Sequence, residues 1–154
     1  MFAITGITGQ VGGEVARNLL AARQTVRGVV RDIGNGKAWA ERSCELVAAD
    51  INDAAALTTA FEGVDGVFVL VPPNFDPSPD FQEARKIAAT LNRALDAARP
   101  ARVVYLSTIG AQATRSNPLS QFQSHFRNNR LGWIDIAPDS SCQLNRLMQH
   151  HRSS

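Results

Sequence analysis

Short apolar runs alternate with amphipathic stretches along the first two thirds of the chain. Residues 2–4 are apolar and short enough for a buried central strand. After a turn the period changes, and Val11, Val15 and Leu19 recur every fourth residue as one stripe of a helix. Residues 25–30 read as the second strand, 38–42 as a short helical piece with Trp39 packing inward, and 45–49 as the third strand. Asn52 or Asp53 caps the next helix, whose inner stripe is Ala54, Leu57 and Phe61 and which ends at Gly63. Residues 66–71 are apolar throughout, as a strand covered on both faces requires, and Pro72 with Pro73 stops it. Beyond a proline-bearing loop over 74–79, Asp80 caps a helix with the stripe Phe81, Ala84, Ala88, Leu91 and Leu95, and residues 102–106 form a fifth strand. Strands that alternate with helices predict an α/β protein with a parallel, doubly wound sheet and right-handed crossovers. The expected strand order is 3-2-1-4-5, with a ligand crevice at the carboxyl ends of strands one and four.

The pattern fades after Thr114. Residues 117–123 could begin a helix, and only residues 131–137 resemble another strand. The expected organisation is a folded domain over 1–122 and a loosely packed, poorly structured tail over 123–154. The abrupt loss of periodicity makes a truncated or frame-shifted product one expectation, to be checked by reading the gene in its other frames just past residue 122.

Composition narrows the classes. With 154 residues the chain has room for one domain with a real core. A formal charge of +2 leaves no electrostatic footprint for nucleic acid or a membrane surface. The first residues lack a basic segment followed by a long apolar run, and no apolar run reaches membrane-spanning length, so a cytoplasmic protein is expected. Cys44 and Cys142 lie far apart without metal-ligand spacing and read as unpaired thiols in a reducing compartment. His125, His150 and His151 have no acidic partner at helical spacing, so no metal is expected.

The chemistry is concentrated in the turn between the first strand and the first helix. Gly6, Gly9 and Gly12 follow one another at intervals of three, a variant of the G-x-G-x-x-G fingerprint of Rossmann domains. A strand that runs through glycines into a helix aims free backbone N–H groups, with the positive end of the helix dipole, at a phosphate. The first glycine permits the sharp turn, the second lets a pyrophosphate approach, and the third lets the helix pack on the strand. The second strand ends at Arg31 and Asp32, where such a domain selects its cofactor: an acid holds the ribose 2′-OH of NAD, and an arginine fits the 2′-phosphate of NADP. Arg31 and Lys37 outweigh Asp32, which favours NADP(H) over NAD(H).

These segments resemble the NmrA-like proteins, atypical members of the short-chain dehydrogenase/reductase superfamily. The resemblance rests on residues 5–12, residues 30–32 with Lys37, Asp50 and Ile51, residues 69–73 and residues 106–110, and spans roughly residues 1–122. It implies an NADP-binding Rossmann domain, in a family that includes type-2 quinone oxidoreductases, other reductases, and regulators that bind the dinucleotide without turning it over. It further implies that Gly6, Thr8, Gly9, Gln10, Val11 and Gly12 hold the pyrophosphate and that Arg31 and Lys37 meet the 2′-phosphate. Asp50 and Ile51 would lie beside the adenine, Leu70, Val71 and Pro72 along the ribose and nicotinamide, and Ser107 and Thr108 close to the nicotinamide.

Two departures from the family pattern matter. The Tyr-x-x-x-Lys pair of the superfamily is absent downstream of Ser107, and the single tyrosine, Tyr105, falls inside the fifth strand. That removes the usual acid for a carbonyl oxygen, and Ser107 reads as structural or cofactor-facing before catalytic. From Ser124 onward the residues do not follow the family's continuation. Three expectations stand together: a reductase passing hydride to a quinone-like electrophile, a binding module that senses NADP(H) and contacts a partner protein, and a shortened chain that has lost function. Neither a protein partner nor an oligomeric state is legible.

Overall fold

A computed structural model describes residues 1–71, 82–106 and 132–136. Eleven elements follow in order. Strand β1 (Phe2–Thr5) leads into helix α1 (Gln10–Ala21), and β2 (Val26–Val30) follows. A 3-10 turn (Ile33–Gly36) runs into the one-turn helix α2 (Lys37–Ala40) and then β3 (Glu45–Ala48). Helix α3 (Ala54–Phe61), strand β4 (Gly66–Val69), helix α4 (Gln82–Ala98), strand β5 (Arg102–Leu106) and strand β6 (Gly132–Ile136) complete the described chain.

All strand pairs are parallel, and the sheet order is β3-β2-β1-β4-β5-β6. The predicted 3-2-1-4-5 order is present, with one further strand on its outer side. That strand lies within the segment 131–137 that the sequence marks as strand-like, beyond the boundary drawn at residue 122. It pairs in register with β5 from Arg102↔Gly132 to Leu106↔Ile136.

Period-2 alternation sends the strand side chains to two cores. Phe2, Ile4, Phe68 and Val104 join Val15, Ala16 and Leu19 of α1 and Trp39 of α2 on one face. Ala3, Val67, Val69, Val103 and Tyr105 join Leu57 and Phe61 of α3 and Leu91 and Leu95 of α4 on the other. A sheet buried on both faces explains why its strands read as near-continuous apolar runs.

Asp53, one of the two predicted caps, accepts from the N–H groups of Ala55 and Ala56 and so fixes the start of α3. At its other end, Arg27 of β2 donates to the carbonyls of Ala60 (3.0 Å) and Glu62 (2.8 Å) and pairs with Glu45 of β3 at 3.0 Å. One guanidinium thereby joins two strands to a helix at the amino edge of the sheet, leaving the carboxyl edge for the site.

Two expectations differ in detail. Val11 does not belong to the buried stripe of α1: it is 41% exposed, and the stripe begins at Gly12. Side chains four apart drift by about 40° per step on a 3.6-residue helix, and here the close approach to β1 is made by glycine. Strand β4 ends at Val69, short of the predicted residue 71, because a side chain takes over at Leu70. Asp80, Phe81 and the 74–79 loop lie outside the described residues.

Candidate functional site: the glycine turn and the carboxyl edge of the sheet

Thr5, the last residue of β1, is 4% exposed. Its hydroxyl accepts from the Leu70 N–H at 2.7 Å and donates to the Leu70 carbonyl at 3.2 Å. This bond replaces the next rung of the β-ladder and holds the chain beyond β4 beside the chain beyond β1, at the point where the topology reverses and an open α/β sheet places its ligand crevice.

Gly6 then turns the chain with φ +68, a conformation open to glycine and strained for other residues. The turn closes with the Gly9 N–H donating to the Gly6 carbonyl at 3.0 Å. Gly9 precedes α1 without a side-chain cap. The first intrahelical bond is from the Gly13 N–H to the Gly9 carbonyl, so the N–H groups of Gln10, Val11 and Gly12 have no intrahelical acceptor. A Cβ on Gly9 would have only the Gly6 oxygen near it, at 3.4 Å, so open space lies above the turn. A Cβ on Gly12 would stand 2.3 Å from that same oxygen, so helix and strand are in contact there. The chain is open at the second glycine and in contact with the strand at the third.

Arg31 and Asp32 follow β2, as expected. The Asp32 carboxylate caps the 3-10 turn and accepts from the Gly34 N–H at 2.8 Å. Among the described residues, Arg31 and Lys37 form no ion pair, and both are exposed. Asp50, past the end of β3, accepts from the backbone N–H of Asn52 (2.8 Å) and from its side-chain amide (3.0 Å). Those bonds, together with Arg31 and Lys86 nearby, hold its carboxyl below the usual carboxylate range. Asp50 thus gathers positive charge from β2 and from α4 at the carboxyl edge. Ile51 and Val71 pack partly buried against the α3–α4 core, and Leu70 against the α1 core. Pro72, Ser107, Thr108, Cys142 and the three histidines lie outside the described residues. Tyr105 is 5% exposed within the α3–α4 core.

A hollow of about 370 Å³ opens on the α2 side of the turn. Its floor is Ile7, Thr8, Gly9 and Gln10, and its wall is Trp39 with Arg17 and Arg42. The two guanidinium carbons lie 5.9 and 5.7 Å from the centre of the Trp39 ring. The sequence marks Trp39 as core and leaves Thr5, Arg17, Arg42 and Lys86 unmarked. Thr5 had a signal, a polar residue ending an apolar strand. The arginines had none, because only the fold carries α2 back against α1.

Among the described residues no helix is long and apolar enough to cross a membrane, and no group of three metal-ligating side chains occurs.

The model of a family described as NAD(P)H-binding matches residues 6–137. The NAD(P)H azoreductase of Xenophilus azovorans is 28% identical over 145 residues, covering 90% of this chain and 47% of that protein. Cinnamoyl-CoA reductase 1 of Oryza sativa subsp. japonica is 34% identical over 119 residues, covering 72% of this chain and 35% of that protein. The chain therefore spans half or less of the length of these relatives. The solved structure of an NADPH-dependent quinone oxidoreductase from Escherichia coli, complexed with NADPH, superposes with a TM-score of 0.73 at 23% identity, covering 88% of this chain and 47% of that one. At that identity the likeness speaks for the fold. A family match from the first glycine to the end of β6, on a sheet with this order and this turn, leads to one conclusion: the chain belongs to the NAD(P)H-binding family and has the Rossmann fold that its NmrA-like resemblance implies.

Proposed function

We propose that this chain binds NADP(H) along the carboxyl edge of its sheet and forms the nucleotide portion of an oxidoreductase that passes hydride to a quinone or similar electrophile. The observation that carries the cofactor choice is the commitment of Asp32 to the Gly34 N–H, while Arg31 and Lys37 form no ion pair among the described residues. An acid turned into its own loop is poorly placed to hold a ribose 2′-OH, and two exposed cations held in no ion pair suit a 2′-phosphate.

The residues fit a dinucleotide. The space above Gly9 and the N–H groups of Gln10, Val11 and Gly12 form a cradle that any side chain at residue 9 would fill. Gly6, Thr8 and the turn receive the pyrophosphate. Asp50 and Ile51 would flank the adenine, and Leu70 and Val71 would line the ribose and nicotinamide. When bound, the cofactor supplies the hydride. The chain's own part is to orient it and to exclude water around it.

The choice of electrophile is supported by the place of the tyrosine. Its single tyrosine is buried in the core of the sheet and is not available as an acid over the crevice. A quinone accepts hydride without a strong protein acid, and one similar curated protein is named a quinone oxidoreductase. The same missing acid also favours a second reading, a cytoplasmic NADP(H) sensor without turnover. Oxidation of NADPH with a panel of quinones separates the two. Turnover supports the reductase, and tight NADPH binding without turnover supports the sensor.

A further inference from the structure

We propose that Arg42 is a further specificity-determining residue, closing the α2 side of the 2′-phosphate subsite from a seat on the Trp39 ring. The inference rests on the NADP(H) reading above and adds to it a residue that neither the glycine fingerprint nor the end of β2 contains.

The seat is rigid. Trp39 is buried at 9% exposure, and its carbonyl accepts from the N–H groups of both Arg42 (3.0 Å) and Cys44 (3.1 Å). The backbone that carries Arg42 is therefore fixed to the residue whose ring its side chain covers, with the guanidinium carbon 5.7 Å from the ring centre. A guanidinium held over an aromatic ring at cation–π distance leaves its N–H groups available to an oxyanion and loses less side-chain freedom when one binds.

The charge is uncompensated. Arg17 lies against the same ring but is committed to Glu14, with contacts of 2.8 and 2.9 Å. Arg42 forms no ion pair among the described residues. The Arg17–Glu14 pair is neutral as a unit, so the net charge on this wall of the hollow is that of Arg42.

The hollow is also placed for the group. Thr8, Gly9 and Gln10 of the turn form its floor, and the start of α1 adds the positive end of a helix of twelve residues. Helix α2 begins at Lys37 and ends two residues before Arg42, so one short element carries a cation at each end. A phosphate on the adenosine ribose, lying between the turn and α2, would meet Arg42 on the wall of the hollow, just past the short helix whose first residue is Lys37. A role confined to shielding the indole would leave cofactor discrimination untouched, and that difference can be measured.

The test is calorimetry on the full chain with 2′,5′-ADP, 5′-AMP, NADPH and NADH, for the wild type and for Arg42→Gln, Arg42→Lys and Arg31→Ala. Loss of one charge-assisted contact should weaken 2′,5′-ADP and NADPH about tenfold in Arg42→Gln and leave 5′-AMP and NADH unchanged. Arg42→Lys should restore part of the loss, since an ammonium keeps the charge but not the forked, planar set of donors. A thermal melt of each variant confirms that it is folded. If Arg42→Gln changes none of the affinities, or all four equally, while Arg31→Ala still weakens NADPH alone, Arg42 only covers Trp39 and the NADP(H) reading stands without it. If the wild type binds NADH as tightly as NADPH, the NADP(H) reading fails and this inference fails with it.

Discussion

A methyl group on Gly12 would sit 2.3 Å from the Gly6 carbonyl oxygen and 2.7 Å from its carbon, against backbone that cannot swing aside. Gly12→Ala should therefore push α1 off β1 and destabilise the fold by about 1–3 kcal/mol, read as a lowered denaturation midpoint. An unchanged midpoint would mean that helix and strand are not in contact there. Arg31 belongs to the same scale but acts on the ligand. One charge-assisted contact is worth about 1.5–3 kcal/mol, so Arg31→Ala should weaken NADPH about ten- to a hundredfold and spare NADH. Higher salt should narrow the difference, because the side chain is exposed. Equal losses for both cofactors would make Arg31 a support for the loop instead. Residue identity alone made the glycines and Arg31 legible in the sequence. It could not show that Asp32 is spent on Gly34 or that Val11 faces outward, because those facts depend on backbone direction.

At the level of elements, apolar runs and helical stripes predicted the strands and helices well, because the central strands β1 and β4 are buried throughout and the major helices on one face. Their ends were less legible. Strand β4 stops at Val69 because the Thr5 hydroxyl, 65 residues earlier in the chain, takes the Leu70 N–H. No local window of sequence contains both partners. That side chain is also what ties the two central strands together at the crevice. Thr5→Val keeps the shape and removes the acceptor, leaving the Leu70 N–H without its partner. The expected cost is about 1–3 kcal/mol of stability. Amide exchange at Leu70 should rise more than at Ile4, deeper in β1. Uniform change across both strands would indicate that the bond does not lock this edge locally.

At the scale of the whole molecule, the sheet runs one strand past the point where helical periodicity fades. The sequence marks 131–137 as strand-like but does not add it to the sheet, because the residues before it carry no sustained amphipathic stripe to mark a crossover. Its pairing with all of β5 predicts that a chain ending at residue 131 exposes the β5 edge, melts at lower temperature and associates, as unpaired edges do. Light scattering and a thermal melt of that shortened chain check this, and a monomeric chain with an unchanged melt would count against a structural role for β6. The carboxyl edge of the central strands carries the proposed function, in which the open turn at Gly9 is the phosphate cradle for NADP(H). That role is tested most directly by calorimetry of NADPH against the wild-type chain and the Gly9→Val variant. A valine there has open space on the protein side and fills the cradle on the ligand side. The account predicts a folded Gly9→Val chain that has lost NADPH binding. A folded variant that binds NADPH as the wild type does would contradict it.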